Sequence, residues 1–74
     1  MRVNIYLSSS LSEHEKVHSE IYIDDGKTAL EVIKEYGFPE EEIGIIQKNG
    51  IKINLSDVLC DGDTIKIYPL IIAG

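Results

Sequence analysis

Few residues of this 74-residue chain have types and spacings that could do chemistry, and the last one is the strongest candidate. The sequence closes on Leu70-Ile71-Ile72-Ala73-Gly74. Most domains end in a polar segment that frays. This end is apolar, and its final residue has no side chain. A glycine carboxylate on a slim stem can enter a narrow active site, because nothing at Cβ blocks it and φ is free. The plain alternative is a last strand that overruns its sheet. Leu70, Ile71 and Ile72 are hard to bury in so small a domain, which favours a tail docked in a partner. Such segments bind by adding backbone hydrogen bonds and filling alternate side-chain pockets.

The other candidates carry less. Cys60 is the single cysteine, so no internal disulfide framework is possible. With no basic neighbour to activate it, it reads as a small buried hydrophobe. His14 and His18 have a metal-like spacing only on a helix, and their surroundings read as strand; no third ligand accompanies them. Glu40-Glu41-Glu42 has no catalytic partner and reads as a solvated turn. Asp61 and Asp63 flank Gly62 for turn reasons. There is no glycine-rich phosphate loop and no nucleophile–base pair of recognisable spacing. The chain is expected to bind no metal or cofactor and not to be an enzyme.

Bulk properties narrow the class further. The net charge is −6, from 7 basic and 13 acidic residues. That balance argues against nucleic acid, which needs a basic surface. It either keeps a small protein soluble or complements a basic partner. No run is long enough to span a membrane, and Met1 to Leu7 is broken by Asn4, unlike a signal-peptide core. Asn54-Leu55-Ser56 fits a glycosylation sequon, which is idle without secretion. The expectation is a cytoplasmic protein, monomeric when free.

The elements that would position the tail follow from periodicity. Val3, Ile5 and Leu7 alternate with polar neighbours as in a half-buried strand. Ser8-Ser9-Ser10 and the charged residues after it read as a loop. A second strand runs from Val17 to Ile23 and ends at Asp24-Asp25-Gly26. Thr28 and Glu31 form a capping-box pattern for a helix over about 29–36. Ala29, Leu30, Ile33 and either Val32 or Tyr36 supply its apolar face. Gly37 suits the position after the helix, and Pro39 prevents continuation. Ile43 to Lys48 suits a strand, and Asn49-Gly50 signals a type I′ hairpin returning through Ile51 and Ile53. Leu55, Val58 and Leu59 look like anchors of an irregular stretch. Thr64 to Tyr68 is the last strand, and Pro69 weakens pairing beyond it.

One helix over a mixed, mostly antiparallel sheet is an α+β layering. The first and last strands are the most regular, and setting them side by side mid-sheet would give a β-grasp. Tyr6, Tyr22 and Tyr68 fall on the face opposite Ile5, Ile21 and Ile67. Exposed aromatics of this kind are either partner anchors or cross-strand pairs that steady the sheet. The partner reading makes that face the dock for an activating enzyme.

Several of these residues resemble one family. They are Asn49-Gly50, the helix opening at Thr28, the Gly37-Phe38-Pro39-Glu40-Glu41-Glu42-Ile43-Gly44 connection, Leu59-Cys60-Asp61-Gly62-Asp63-Thr64-Ile65-Lys66-Ile67-Tyr68-Pro69, and the glycine terminus. Together they are similar to the ThiS/MoaD family of ubiquitin-like sulfur carriers, with a lean to the MoaD-like members. The resemblance implies a β-grasp body over 1–69, a four- to five-stranded mixed sheet with one helix across one face, and a flexible reactive tail over 70–74. It implies that an E1-like enzyme adenylates Gly74, that sulfur replaces AMP to leave a covalent thiocarboxylate, and that a synthase takes the sulfur for a cofactor of molybdopterin, tungstopterin or thiamin type. Leu70, Ile71, Ile72 and Ala73 would dock the tail. The family usually ends in Gly-Gly, whereas this chain ends in Ala73-Gly74. Either Ala73 replaces the penultimate glycine, or Ala73-Gly74 matches the pair that precedes a final glycine. Two other readings of the same fold are a binding or regulatory module without sulfur transfer, and a ubiquitin-like modifier joined to target lysines.

Overall fold

The structure is a computed structural model that describes residues 1–9 and 12–70. Its elements in chain order are β1 (Arg2–Ser9), β2 (Ser12–Tyr22), α1 (Ala29–Tyr36), a 3-10 turn (Glu40–Glu42), β3 (Ile43–Lys48), β4 (Ile51–Ile53) and β5 (Thr64–Pro69). The five strands form one sheet in the order β2-β1-β5-β3-β4. β1 and β5 run parallel at its centre, with Ile5 opposite Ile65 and Leu7 opposite Ile67. The other pairings are antiparallel. This is the β-grasp arrangement expected for a ubiquitin-like chain, with the first and last strands as neighbours.

Alternation decides which face is dry. Val3 and Ile5 of β1, Ile65 and Ile67 of β5, and Ile46 of β3 are buried together with Ala29, Val32 and Ile33 of the helix and Leu59. Each Val, Ile or Leu among them is worth roughly 1.5–3 kcal/mol relative to exposure. The helix lies over this face, and Val32 rather than Tyr36 is its fully buried alternative. It starts where Thr28 accepts from the Glu31 N–H at 3.2 Å and the Glu31 carboxylate accepts from the Thr28 N–H at 3.1 Å. It stops at Gly37, whose φ of 100° is left-handed.

Three expectations change. The loop expected from Ser8 onward is shorter, because Ser8 and Ser9 continue β1 and β2 begins at Ser12. Ser9 lies opposite Ser12 past a register irregularity after Leu7. The pairing of two adjacent strands outweighs the loop preference of the serines. Cys60 is exposed rather than buried. Its N–H donates to the Asp63 carboxylate at 2.7 Å, and its neighbour Leu59 takes the core position. Val58 is not an anchor: it is 53% exposed, and its backbone bridges to Thr28.

Candidate functional site

The root of the tail is held by backbone on both sides. β5 pairs with β1 on one edge and β3 on the other, so it is an interior strand with both edges filled. Pro69 still lies opposite Ile43, with a register shift in β3 between Ile43 and Ile45. Gly44 occupies that shift. A Cβ there would sit 2.6 Å from the Tyr68 carbonyl oxygen, so only glycine lets β3 come this close to the end of β5. The Leu70 N–H then donates to the Glu42 carbonyl at 2.8 Å. That bond fixes the root of the tail, and Leu70 is 55% exposed. Gly44, Ile45, Tyr68, Pro69 and Leu70 line an apolar hollow of about 360 Å³ at this point. Ile71, Ile72, Ala73 and Gly74 lie outside the described residues.

The face of the sheet away from the helix is the open one. Strand register places His18, Tyr6, Lys66, Gln47 and Lys52 opposite one another in a single row across all five strands. The Tyr6 and His18 rings stack at 4.4 Å with planes 12° apart, and His18 Nε2 lies 3.3 Å from Asn4 Oδ1. The Lys66 ammonium lies 5.1 Å from the centre of the Tyr68 ring. Ile45, opposite Tyr68, is 46% exposed.

Matched against models of known families, residues 2–73 fit Mut7-C ubiquitin. The chain belongs to the Mut7-C ubiquitin family. No curated protein matches it. Among solved structures it is similar to SAMP1 from Haloferax volcanii, with a TM-score of 0.74, 15% identity and 100% of each chain covered. At that identity the likeness concerns the fold, and the fold agrees with the β-grasp order of strands.

In this ubiquitin family member the three tyrosines share the open face but do not form one cluster. Tyr22 is opposite Arg2, four residues along β1 from Tyr6, or about 13 Å. Tyr68 is two residues past Lys66, the partner of Tyr6, so it lies about 7 Å further in the other direction. Tyr68 adjoins the tail; Tyr22, 75% exposed, is at the far end. The Tyr22 hydroxyl donates to Glu20 at 2.7 Å, and that bond, with the carboxylate's charge, raises its pKa above the ordinary value.

His14 and His18 both lie on β2, a strand rather than the helix that a metal-like spacing of four needs; the His14 side chain lies outside the described ones. Among the described residues no cluster of three His, Cys, Asp or Glu could hold a metal. Asp61 and Asp63 act as turn residues: Asp61 accepts from the Arg2 N–H at 2.7 Å, and Asp63 accepts from Cys60. No described helix is long and apolar enough to cross a membrane. Gly44 and Ile45 are the residues that sequence reasoning passed over. The signal available was the interruption of alternation in Ile43-Gly44-Ile45-Ile46.

Proposed function

We propose that this ubiquitin-like protein is a sulfur carrier whose Gly74 carboxylate is the acceptor. The observation that supports this most is the root of the tail: a central strand, paired on both edges, hands the chain to Leu70 through one hydrogen bond to Glu42. From a root so fixed, the four following residues reach at most about 14 Å. Body 1–69 is then a handle, and 70–74 is a probe that a partner threads.

In the ThiS/MoaD carriers that the sequence resembles, an E1-like enzyme uses ATP to form an acyl-adenylate, since a carboxylate is a poor electrophile. Sulfur then displaces AMP, and a synthase receives it. Gly74 would be adenylated, and Leu70, Ile71, Ile72 and Ala73 would line the partner's channel. The carrier itself would supply no acid, base, metal or bound cofactor.

Intact mass measurement after incubation with an E1-like enzyme, ATP and a sulfur donor tests this. Replacement of one terminal oxygen by sulfur is the expected result. Replacement only after one glycine is appended would show that Ala73-Gly74 must be followed by another residue. No replacement with either chain would overturn the carrier reading. Ala73 at the penultimate position favours one second reading, a β-grasp binding or regulatory module without sulfur transfer. It predicts no sulfur at the terminus of either chain, whereas a modifier joined to target lysines would give covalent adducts of the whole chain in the same mixture.

A further inference from the structure

We infer that the open face of the sheet docks an acidic protein surface, although the chain as a whole carries a net charge of −6. Net charge alone points to a basic partner. The distribution of charge points the other way.

Register assigns each strand residue to a face. Among residues 2–8 of β1, 18–22 of β2 and those of β3, β4 and β5, the open face holds Arg2, Lys66 and Lys52 as cations, with Glu20 as its one carboxylate. Glu20 is engaged by the Tyr22 hydroxyl. The row His18-Tyr6-Lys66-Gln47-Lys52 contains no carboxylate across a width of about 19 Å. The acids gather elsewhere: Asp24 and Asp25 in a turn, Glu31 and Glu35 on the helix, Glu40, Glu41 and Glu42 in the 3-10 turn, and Asp57, Asp61 and Asp63 in the connections. Of the acids whose side chains are described, Glu20 alone lies on this face.

That face also has an apolar anchor. Ile45, Tyr68 and Leu70 border the hollow at the root of the tail: Tyr68 is two residues past Lys66 on β5, Ile45 lies opposite Tyr68, and Leu70 follows the strand's end. An exposed aliphatic and an aromatic beside cations fit a partner that offers apolar side chains ringed by Asp and Glu. Complementary charge of this kind steers encounter and sets register more than it adds affinity.

Single-stranded nucleic acid also combines negative charge with stacking, but the two rings nearest Lys66 are engaged, and Tyr22 stands at the far end of the face. Tyr6 is stacked on His18, and Lys66 lies over Tyr68. Base platforms need free ring faces. The acidic partner is therefore an acidic protein surface.

The inference deepens the carrier reading and rests on it for the partner's identity, an activating enzyme. Its test has two arms so that the two ideas fail separately. In the first, adenylation by the E1-like enzyme is followed as kcat/KM against ionic strength. Lys52→Glu/Lys66→Glu should lower kcat/KM at least tenfold at low salt and flatten its fall with salt. Lys27→Glu/Lys34→Glu, the same change of net charge on the helix side, should change it less than threefold. Equal losses from both pairs, or a gain from the open-face pair, would overturn the inference. Lys52→Gln/Lys66→Gln, checked by thermal melting, separates charge from folding.

In the second arm, amide shifts of the labelled chain are followed against a peptide bearing Leu-Phe between Glu residues, with oligothymidylate as competitor. This arm decides if no adenylation occurs at all, an outcome that removes the carrier reading alone. Shifts confined to His18, Ile45, Lys52, Lys66 and Tyr68, and lost in high salt, support the inference. Shifts scattered over the chain, or tighter binding of oligothymidylate, overturn it.

Discussion

Asn49 and Thr64 hold each other by two hydrogen bonds across the sheet. The Asn49 N–H donates to the Thr64 carbonyl at 2.8 Å, and the Thr64 N–H donates to Asn49 Oδ1 at 2.9 Å. The Asn49 amide also donates to Asp63 Oδ1 at 3.2 Å. One residue thus closes the β3–β4 hairpin, with φ of 51°, and pins the start of the strand that leads to the tail.

Asn49→Ala should therefore cost about 2–4 kcal/mol: the left-handed φ disfavours alanine by roughly 1–2 kcal/mol, and each of the two lost side-chain hydrogen bonds adds about 0.5–1 kcal/mol. Asn49→Gly relieves the backbone and loses only the clamp, so it should fall between wild type and Asn49→Ala. Denaturant melts of the three proteins check the order. Equal stability of Asn49→Gly and wild type would mean that the side-chain bonds contribute nothing.

Gly44 sets the second prediction. Its hypothetical Cβ meets backbone at 2.6 Å, not the end of a flexible side chain, so β3 or β5 must move. Gly44→Ala should destabilise by about 1–3 kcal/mol, the range for overpacking. The Leu70 amide should lose hydrogen-exchange protection more than the amides of Ile65 or Ile67, because its bond to Glu42 is nearest the displaced segment. Uniform loss of protection along β5 would contradict the local account.

The capping box gives a dependence on pH. Hydrogen bonds from Thr28, backbone first and then side chain, hold the Glu31 carboxyl below its ordinary value of 4.5. The unfolded chain then binds the proton more readily, so stability from this group rises with pH. It is present above the ordinary value and is lost as pH falls through the lower, folded value. The stability difference between wild type and Glu31→Gln should shrink on acidification through that window. Thr28→Ala should cost about 1 kcal/mol at neutral pH, as other N-cap deletions do. Melting curves at several pH values test both.

Much of this was legible in the sequence because it is local. Asn49-Gly50 demands a turn of positive φ whatever surrounds it, and Thr28, Glu31 and Gly37 carry the start and stop of the helix. Alternation in Val3-Ile5-Leu7 and Ile65-Ile67 assigned core residues directly, with Leu7 at the rim. What escaped depends on neighbours distant in sequence. Ser8 and Ser9 are strand because β2 lies beside them. Cys60 faces out because Asp63 fixes its amide and Leu59 takes the inner place. Ile45 faces the open side because β3 shifts register at Gly44 against β5; the broken alternation of Ile43-Gly44-Ile45-Ile46 signals a shift without saying which strand lies opposite. The row of His18, Tyr6, Lys66, Gln47 and Lys52 exists only once five strands are in order.

That geometry separates the tyrosines as partner residues. Tyr68 borders the hollow beside Leu70, whereas Tyr22 lies about 20 Å away along the strands. An enzyme that must seat the tail has to contact the Tyr68 end; it need not reach Tyr22. Under the carrier reading, Tyr68→Ser should lower kcat/KM for adenylation at least tenfold, in keeping with an aromatic anchor at an interface centre worth over 1 kcal/mol. Tyr22→Ser should leave it within twofold. Tyr6→Ser removes the His18 stack and should give a smaller loss, mostly through the sheet. Thermal melts of each variant distinguish docking from folding: Tyr68→Ser must lose activation out of proportion to its melting temperature. If Tyr22→Ser proves as harmful as Tyr68→Ser, the enzyme covers the whole face, and the hollow at the tail's root is not its main anchor.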